Sequence, residues 1–225
     1  MKKLFLLFSF SLFIGFASCT DDPEDNETII IDPVTEEAHG FYIANEDWFG
    51  HDDGSVNYIQ EDGKVHYRVY REANPGELLG ATTQYATVYG DNVYFVSKQG
   101  LRFVVADAKT LKKKTAISYI GGDGRFFIGV SPDKGYIATS NGIKIFDIAN
   151  LSVGASIENI SGEVGNMCLV GDHAFAVVKS KGVHIINTRT DKLEKVIEGS
   201  YATLTQSKDG NVWIGAGSKL IKMNP

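Results

Sequence analysis

Four stretches decide how this chain folds: Gly90-Asp91-Asn92-Val93-Tyr94-Phe95-Val96, Pro132-Asp133-Lys134-Gly135-Tyr136-Ile137-Ala138-Thr139, Gly171-Asp172-His173-Ala174-Phe175-Ala176-Val177-Val178 and Lys208-Asp209-Gly210-Asn211-Val212-Trp213-Ile214-Gly215. Each places a turn-forming Asp before a short apolar run. The four aspartates are 42, 39 and 37 residues apart. A polar turn follows each run: Lys98-Gln99-Gly100, Ser140-Asn141-Gly142, Lys179 to Gly182, and Ala216-Gly217-Ser218. A third strand then closes on Asp or Asn, at Asp107, Asp147, Asn187 and Asn224. Two repeats run on into a fourth strand, Leu111 to Ile117 and Leu193 to Ile197. Four strands per roughly 40 residues is the period of a propeller blade. The expected second strands are Val93–Ser97, Tyr136–Thr139, Phe175–Val178 and Val212–Gly215.

Composition agrees. The chain has 225 residues, 43% hydrophobic and 22% charged, with 24 Gly and 5 Pro. This excludes wholesale disorder and favours a turn-rich all-β protein. The net charge of −6 argues against nucleic acid as a partner, because phosphate recognition needs a basic face. Two cysteines cannot build a disulfide framework.

From Gly40 to Pro225 are 186 residues, enough for about four to five blades of four antiparallel strands. The first unit, Gly40 to Leu79, shows strands at Phe41–Ala44, Ser55–Ile59 and Val65–Tyr70 but no clear innermost strand. The last unit reaches Pro225 just after its third strand. The expectation is an incomplete β-propeller, the front part of a larger one, with a small propeller as the alternative.

Residues 1–18 read as a signal peptide: Lys2 and Lys3, then the apolar run Leu4 to Phe16, then Ala17 and Ser18. The run is too short to span a bilayer comfortably. Phe16-Ala17-Ser18-Cys19 resembles the bacterial lipobox, although Phe16 departs from the usual Leu. That resemblance implies cleavage before Cys19 and a lipid on its thiol. Loss of Lys2 and Lys3 leaves a net charge of −8. Residues 19–39 form an acidic tether, and Thr20 to Glu27 resembles the export signal of Bacteroidota surface lipoproteins. The implied address is the outer membrane, lipid-anchored and surface-exposed.

The run Gly40-Phe41-Tyr42-Ile43-Ala44-Asn45-Glu46-Asp47-Trp48-Phe49-Gly50, followed by Gly54-Ser55-Val56, Asn74 to Gly80 and Gln84, resembles the opening of the YncE-like propeller lipoproteins of Bacteroidota. Asp47 stands where that family usually has Gly. The resemblance covers Gly40 to Pro225. It implies a ring of about seven blades within the usual range, so this chain would lack the last third. It also implies kinship with surface proteins that capture cobalamin for an outer-membrane transporter. Fold-level kinship alone does not transfer that ligand.

In a propeller, loops joining the second and third strands share one end with loops between blades. That end collects Asn45 to Asp53, Gln84-Tyr85, Gly121 to Arg125, Gly162 to Asn166 and Ser200-Tyr201. The candidate ligand-binding residues are Asn45, Glu46, Trp48, Phe49, His51, Gln84, Tyr85, Arg125 and Tyr201. Aromatic bodies with polar tips suit a small molecule or glycan. Trp48 and Phe49 also read as a simple cap on the first blade.

Catalytic signals are thin. His39, His51, His66, His173 and His184 lack metal-ligand spacing. There is no nucleophile elbow, and Gly121-Gly122-Asp123-Gly124 lacks the phosphate-loop pattern. No cofactor motif is present. Cys168 sits in an apolar inner-strand run, Met167 to Val170, and reads as a buried small hydrophobe. The expected function is a surface-anchored binding protein, not an enzyme, with a membrane anchor and an outer-membrane transporter as its partners. A lyase or lactonase-type propeller and a non-functional remnant of a longer gene remain open alternatives.

Overall fold

The second strand of every repeat forms where its aspartate turn places it. In the computed structural model, which describes residues 40–48 and 52–224, these strands are Asn92–Gln99 (β5), Lys134–Thr139 (β9), His173–Val178 (β13) and Val212–Ala216 (β17). The described residues belong to one compact unit, Ile31–Pro225. The signal peptide, Cys19 and the acidic tether lie outside them.

The innermost strands are Ala81–Tyr89 (β4), Gly124–Ser131 (β8), Val164–Val170 (β12) and Thr203–Gln206 (β16). The third strands are Phe103–Asp107 (β6), Gly142–Asp147 (β10), Gly182–Asn187 (β14) and Lys219–Met223 (β18). Fourth strands follow at Lys113–Ile117 (β7), Ser152–Ser156 (β11) and Lys192–Glu198 (β15). Of these, β11 has no counterpart in the sequence reading, because its run Ser-Val-Gly-Ala-Ser is short and mostly exposed. The sheets are β4-β5-β6-β7, β8-β9-β10-β11, β12-β13-β14-β15 and β16-β17-β18, all antiparallel.

The first sheet contains Gly40–Asn45 (β1), Ser55–Gln60 (β2) and Val65–His66 (β3). The expected strand Val65–Tyr70 stops after two residues. Arg68 adopts a left-handed backbone with φ 56, and Val69–Ala73 turns into a short helix, α1. The helix wins because it buries Val69 and Tyr70 together against the first and second sheets. Strand alternation would have placed them on opposite faces. The strand β1 packs against β4 as β5 packs against β8, and so occupies a second-strand position. As the sequence reading expected, the first sheet has no inner strand among the described residues.

Each inner strand contacts the next, β4 with β8, β8 with β12 and β12 with β16. Between the sheets lie the cores. Tyr94, Phe103, Phe127, Ile137 and Phe146 fill the space between the second and third sheets. Tyr136, Ile143, Val164 and Met167 fill the next, and Phe175, Val183, Leu204 and Ile214 the last.

The recurrent Asp or Asn at the third strand's end has a local cause. Asp107 Oδ1 accepts hydrogen bonds from Lys109 N, Thr110 N and Thr110 Oγ1, each at 3.0 Å. Asp147 accepts from Asn150 N, and Asn187 from Arg189 N and Thr190 N. Backbone carbonyls of the aspartate turns close the same end. Asp91 O accepts from Ala108 N, Asp133 O from Ile148 N and Asp172 O from Thr188 N, at 2.8–3.0 Å.

Two outcomes follow from this packing. Phe127 is fully buried, with its ring centroid 4.1 Å from Tyr94 and 5.4 Å from Phe103. Phe127→Ala is expected to cost about 3–5 kcal/mol in chemical denaturation. Asp107 titrates below the usual carboxylate range. Burial pushes it upward, but the hydrogen bonds from Thr110, Lys109 and Lys114 outweigh that. Its contribution is therefore present above the unfolded value near ~3.9 and lost as pH falls through the folded value. Asn187 makes the same turn without a charge, so Asp107→Asn tests the linkage. Thermal melts should show a stability gap at neutral pH that closes below about pH 4. A gap that stays constant into acid would contradict this.

Candidate functional site

The site lies at the end of the sheets where second strands turn into third strands and one sheet passes to the next. Two glycines allow neighbouring sheets to approach closely there. A side chain on Gly124 would meet Ser97 O at 2.5 Å, and one on Gly54 would collide with the Thr83 side chain. Gly54 N donates to Gly80 O at 3.0 Å, and Asp53 bridges to Ala81. The loop after β1 is thus tied to the start of β4.

The inner strands begin at this end, and polar side chains near those starts carry the chemistry, Gln84 and Arg125 within β4 and β8, Glu163 and Tyr201 just before β12 and β16. Gln84, Arg125, Glu163 and Tyr201 stand seven, eight, nine and eight residues before Asp91, Asp133, Asp172 and Asp209. Arg125 Nη1 donates to Gln84 Oε1 at 3.3 Å. Arg125 Nε lies 3.6 Å from Glu163 Oε1, and Lys179 Nζ lies 3.5 Å from Glu163 Oε2. Three sheets are therefore linked by one polar row, Gln84–Arg125–Glu163–Lys179. At 3.6 Å the Arg125–Glu163 contact is an ion pair without a hydrogen bond, and Arg125 Nε is buried without an acceptor.

Next to Glu163 and Lys179 is a cleft of about 520 Å³, also lined by Ser180, Ser200 and Tyr201. The Tyr201 hydroxyl donates to Glu198 O at 3.0 Å, which fixes its ring at the wall. The cleft joins charge, hydroxyls and one aromatic face with the small residues Gly165, Val177, Ala202 and Gly217.

Of the candidates from sequence, Gln84 and Arg125 are brought together and Tyr201 lines the cleft. Tyr85 stacks on Phe126 with ring centroids 3.8 Å apart and packs against the core, so it serves packing. Asn45 Nδ2 donates to Ser55 Oγ at 3.2 Å. Glu46 is exposed, and Trp48 is 72% exposed. Asp52 and Asp53 are held by Arg71, whose Nη2 donates to Asp52 Oδ1 at 3.2 Å and to Asp53 O at 3.1 Å. The Arg71 hydrogen bond holds the Asp52 carboxyl below its ordinary range. Phe49 and His51 lie outside the described residues.

Glu163 and Lys179 were missing from the expected set. Glu163 looks isolated in the sequence, and only its alignment on the aspartate turns places it beside Arg125. Cys168 is partly buried in β12, and burial pushes its thiol up to about 11. Among the described residues no group of His, Cys, Asp or Glu has the geometry to hold a metal ion.

A succession of antiparallel sheets packed through their inner strands is the architecture of β-propellers, and known structures bear this out. The chain aligns with the extracellular domain of a putative hybrid two-component system from Bacteroides thetaiotaomicron (TM-score 0.62, 17% identity, 83% of this chain and 25% of that one). It aligns with a quinoprotein alcohol dehydrogenase-like protein of the same organism (TM-score 0.64, 18% identity, 83% of this chain and 49% of that one). It also aligns with the WD40 propeller domain of Doa1 (TM-score 0.54, 18% identity, 76% of this chain and 60% of that one). The chain thus spans between a quarter and three fifths of these structures. No curated protein matches it. Residues 39–225 match the model of a family described as a domain of unknown function (DUF5074), and the chain belongs to that family.

Proposed function

We propose that this protein is a lipid-anchored surface module that binds a small polar molecule or a glycan at the Arg125–Glu163–Tyr201 end of its sheets. The observation that carries the reading is the cleft lined by Glu163, Lys179, Ser180, Ser200 and Tyr201, with the Arg125–Glu163 ion pair beside it. Tyr201 supplies a flat apolar surface, and Lys179 and the serines supply directed polar contacts. Likeness to an extracellular Bacteroides domain is consistent with a surface address.

Binding rather than turnover fits the chemistry of the cleft. Glu163 stands in ion pairs with both Arg125 and Lys179, leaving one positive charge over. The Cys168 thiol, raised by burial, is a poor nucleophile at neutral pH. The anchor reading rests on the Lys2 to Cys19 segment and on the acidic residues after it. With a lipid at the start and a polar cleft downstream, the module would present its ligand to a transporter in the same membrane.

The test is a glycan and small-molecule screen on the purified protein, followed by calorimetry. Glu163→Gln and Tyr201→Ala should each weaken the ligand found by about tenfold or more. Cys19→Ala should release the protein from the membrane fraction. Affinity indifferent to both cleft substitutions would place the site elsewhere, and catalytic turnover of the ligand would favour the enzyme alternative.

A further inference from the structure

His184 is a buried ionisable group that the cleft does not use. It lies on β14 opposite Ala176 of β13 and Val196 of β15. Directly opposed residues share a face, and Ala176 belongs to the core between the third and fourth sheets. His184 therefore points into that core, which is built of apolar residues such as Ile160, Val164, Val178 and Ile186. Only 4% of it is exposed, and its Nδ1 is buried with no hydrogen-bond partner among the described residues. Counted from the residue that closes the third strand, the matching positions are Val104 and Lys144. Val104 is apolar and fully buried. Lys144 runs out past Gly121, where a side chain would meet its Cε at 2.7 Å. His184 has neither an apolar side chain nor a way out.

Protonation makes both ring nitrogens donors, and a charge buried without partners is costly. The Gly182 backbone offers one acceptor, whereas Nδ1 has none. The carboxylates around this core are engaged elsewhere. Asp191 accepts from Lys134 and Tyr136, and Glu194 is bonded to His173 and Asn187. Glu163 pairs with Arg125 and Lys179, and Asp147 accepts from Asn150. Glu158 and Glu198 are exposed. Among the described residues Lys181 is the one charge that acts on His184, and its sign is that of an imidazolium. Burial holds the imidazole below its ordinary value. The Gly182 backbone opposes that shift, and Lys181 adds to it.

We propose that His184 is an acid-sensitive latch: neutral, it seals the core between the third and fourth sheets, and protonated, it loosens that joint. Stability is full above the ordinary histidine value near ~6.5 and declines as pH falls below it toward the lower folded value. The turn that delivers Lys179 and Ser180 to the cleft leads into the same strand, so the loosening reaches the cleft wall. The latch acts whatever the cleft binds.

Thermal melts of the full chain between about pH 7.5 and about pH 5.5 test this, with His184→Gln and His184→Leu as variants. On acidification the wild type should lose about 2 °C or more of Tm beyond what either variant loses. Hydrogen exchange of the wild-type chain, corrected for the intrinsic pH dependence of exchange, needs no variant. In it β13 and β14 should lose protection on acidification while β5 and β6 keep theirs. Equal acid losses of Tm in the wild type and in the variants that fold would overturn the proposal. So would an acid loss of protection spread evenly over all sheets.

Discussion

Tyr94 lies nearly flat on Phe127, and that contact between two sheets represents what the fold depends on. A sheet of three or four short strands cannot bury an apolar face within itself. Each sheet here therefore gains its stability from its neighbours. The aromatic of one second strand fills the space before the next sheet, where Phe103, Phe127 and Phe146 close around Tyr94. Hydrogen bonds set the spacing within each sheet, but burial between sheets supplies the driving force.

Much of this was legible in the sequence because the signals are local. An Asp turn, an apolar run, a polar turn and a closing Asp or Asn recur at near-constant spacing, and each has a local mechanism. Asp107 and Asn187 reveal theirs directly, holding the backbone of the next turn with side-chain oxygens. The reading failed where tertiary contacts decide. Nothing local separates a strand from a helix at Val65 to Ala73, and the joint burial of Val69 and Tyr70 settles it. The strand β11 escaped notice because its exposed residues carry no apolar pattern.

The candidate site was less legible for the same reason. Gln84, Arg125 and Glu163 lie about forty residues apart in sequence, and only the stacking of sheets brings them into one row. Sequence reading favoured the long loop with Trp48, where aromatic and acidic residues are conspicuous. The polar row instead draws Gln84 from β4, Arg125 from β8, Glu163 from just before β12 and a lysine from a turn. Such positions can be exchanged singly without disturbing the packed faces behind them.

All five sheets share one further property: hydrogen-bonded neighbours are always consecutive strands. Among the described residues no sheet draws a strand from a distant piece of chain. Pairings between near residues need little loop closure, which makes folding fast relative to sheets built from remote strands. A chain of this kind can acquire structure in the order in which it emerges. As the chain emerges N-terminus first from synthesis, the first sheet can form before the fifth exists. Each new sheet would find a finished apolar face ready to receive it, which shortens the time that any strand edge stays open to aggregation.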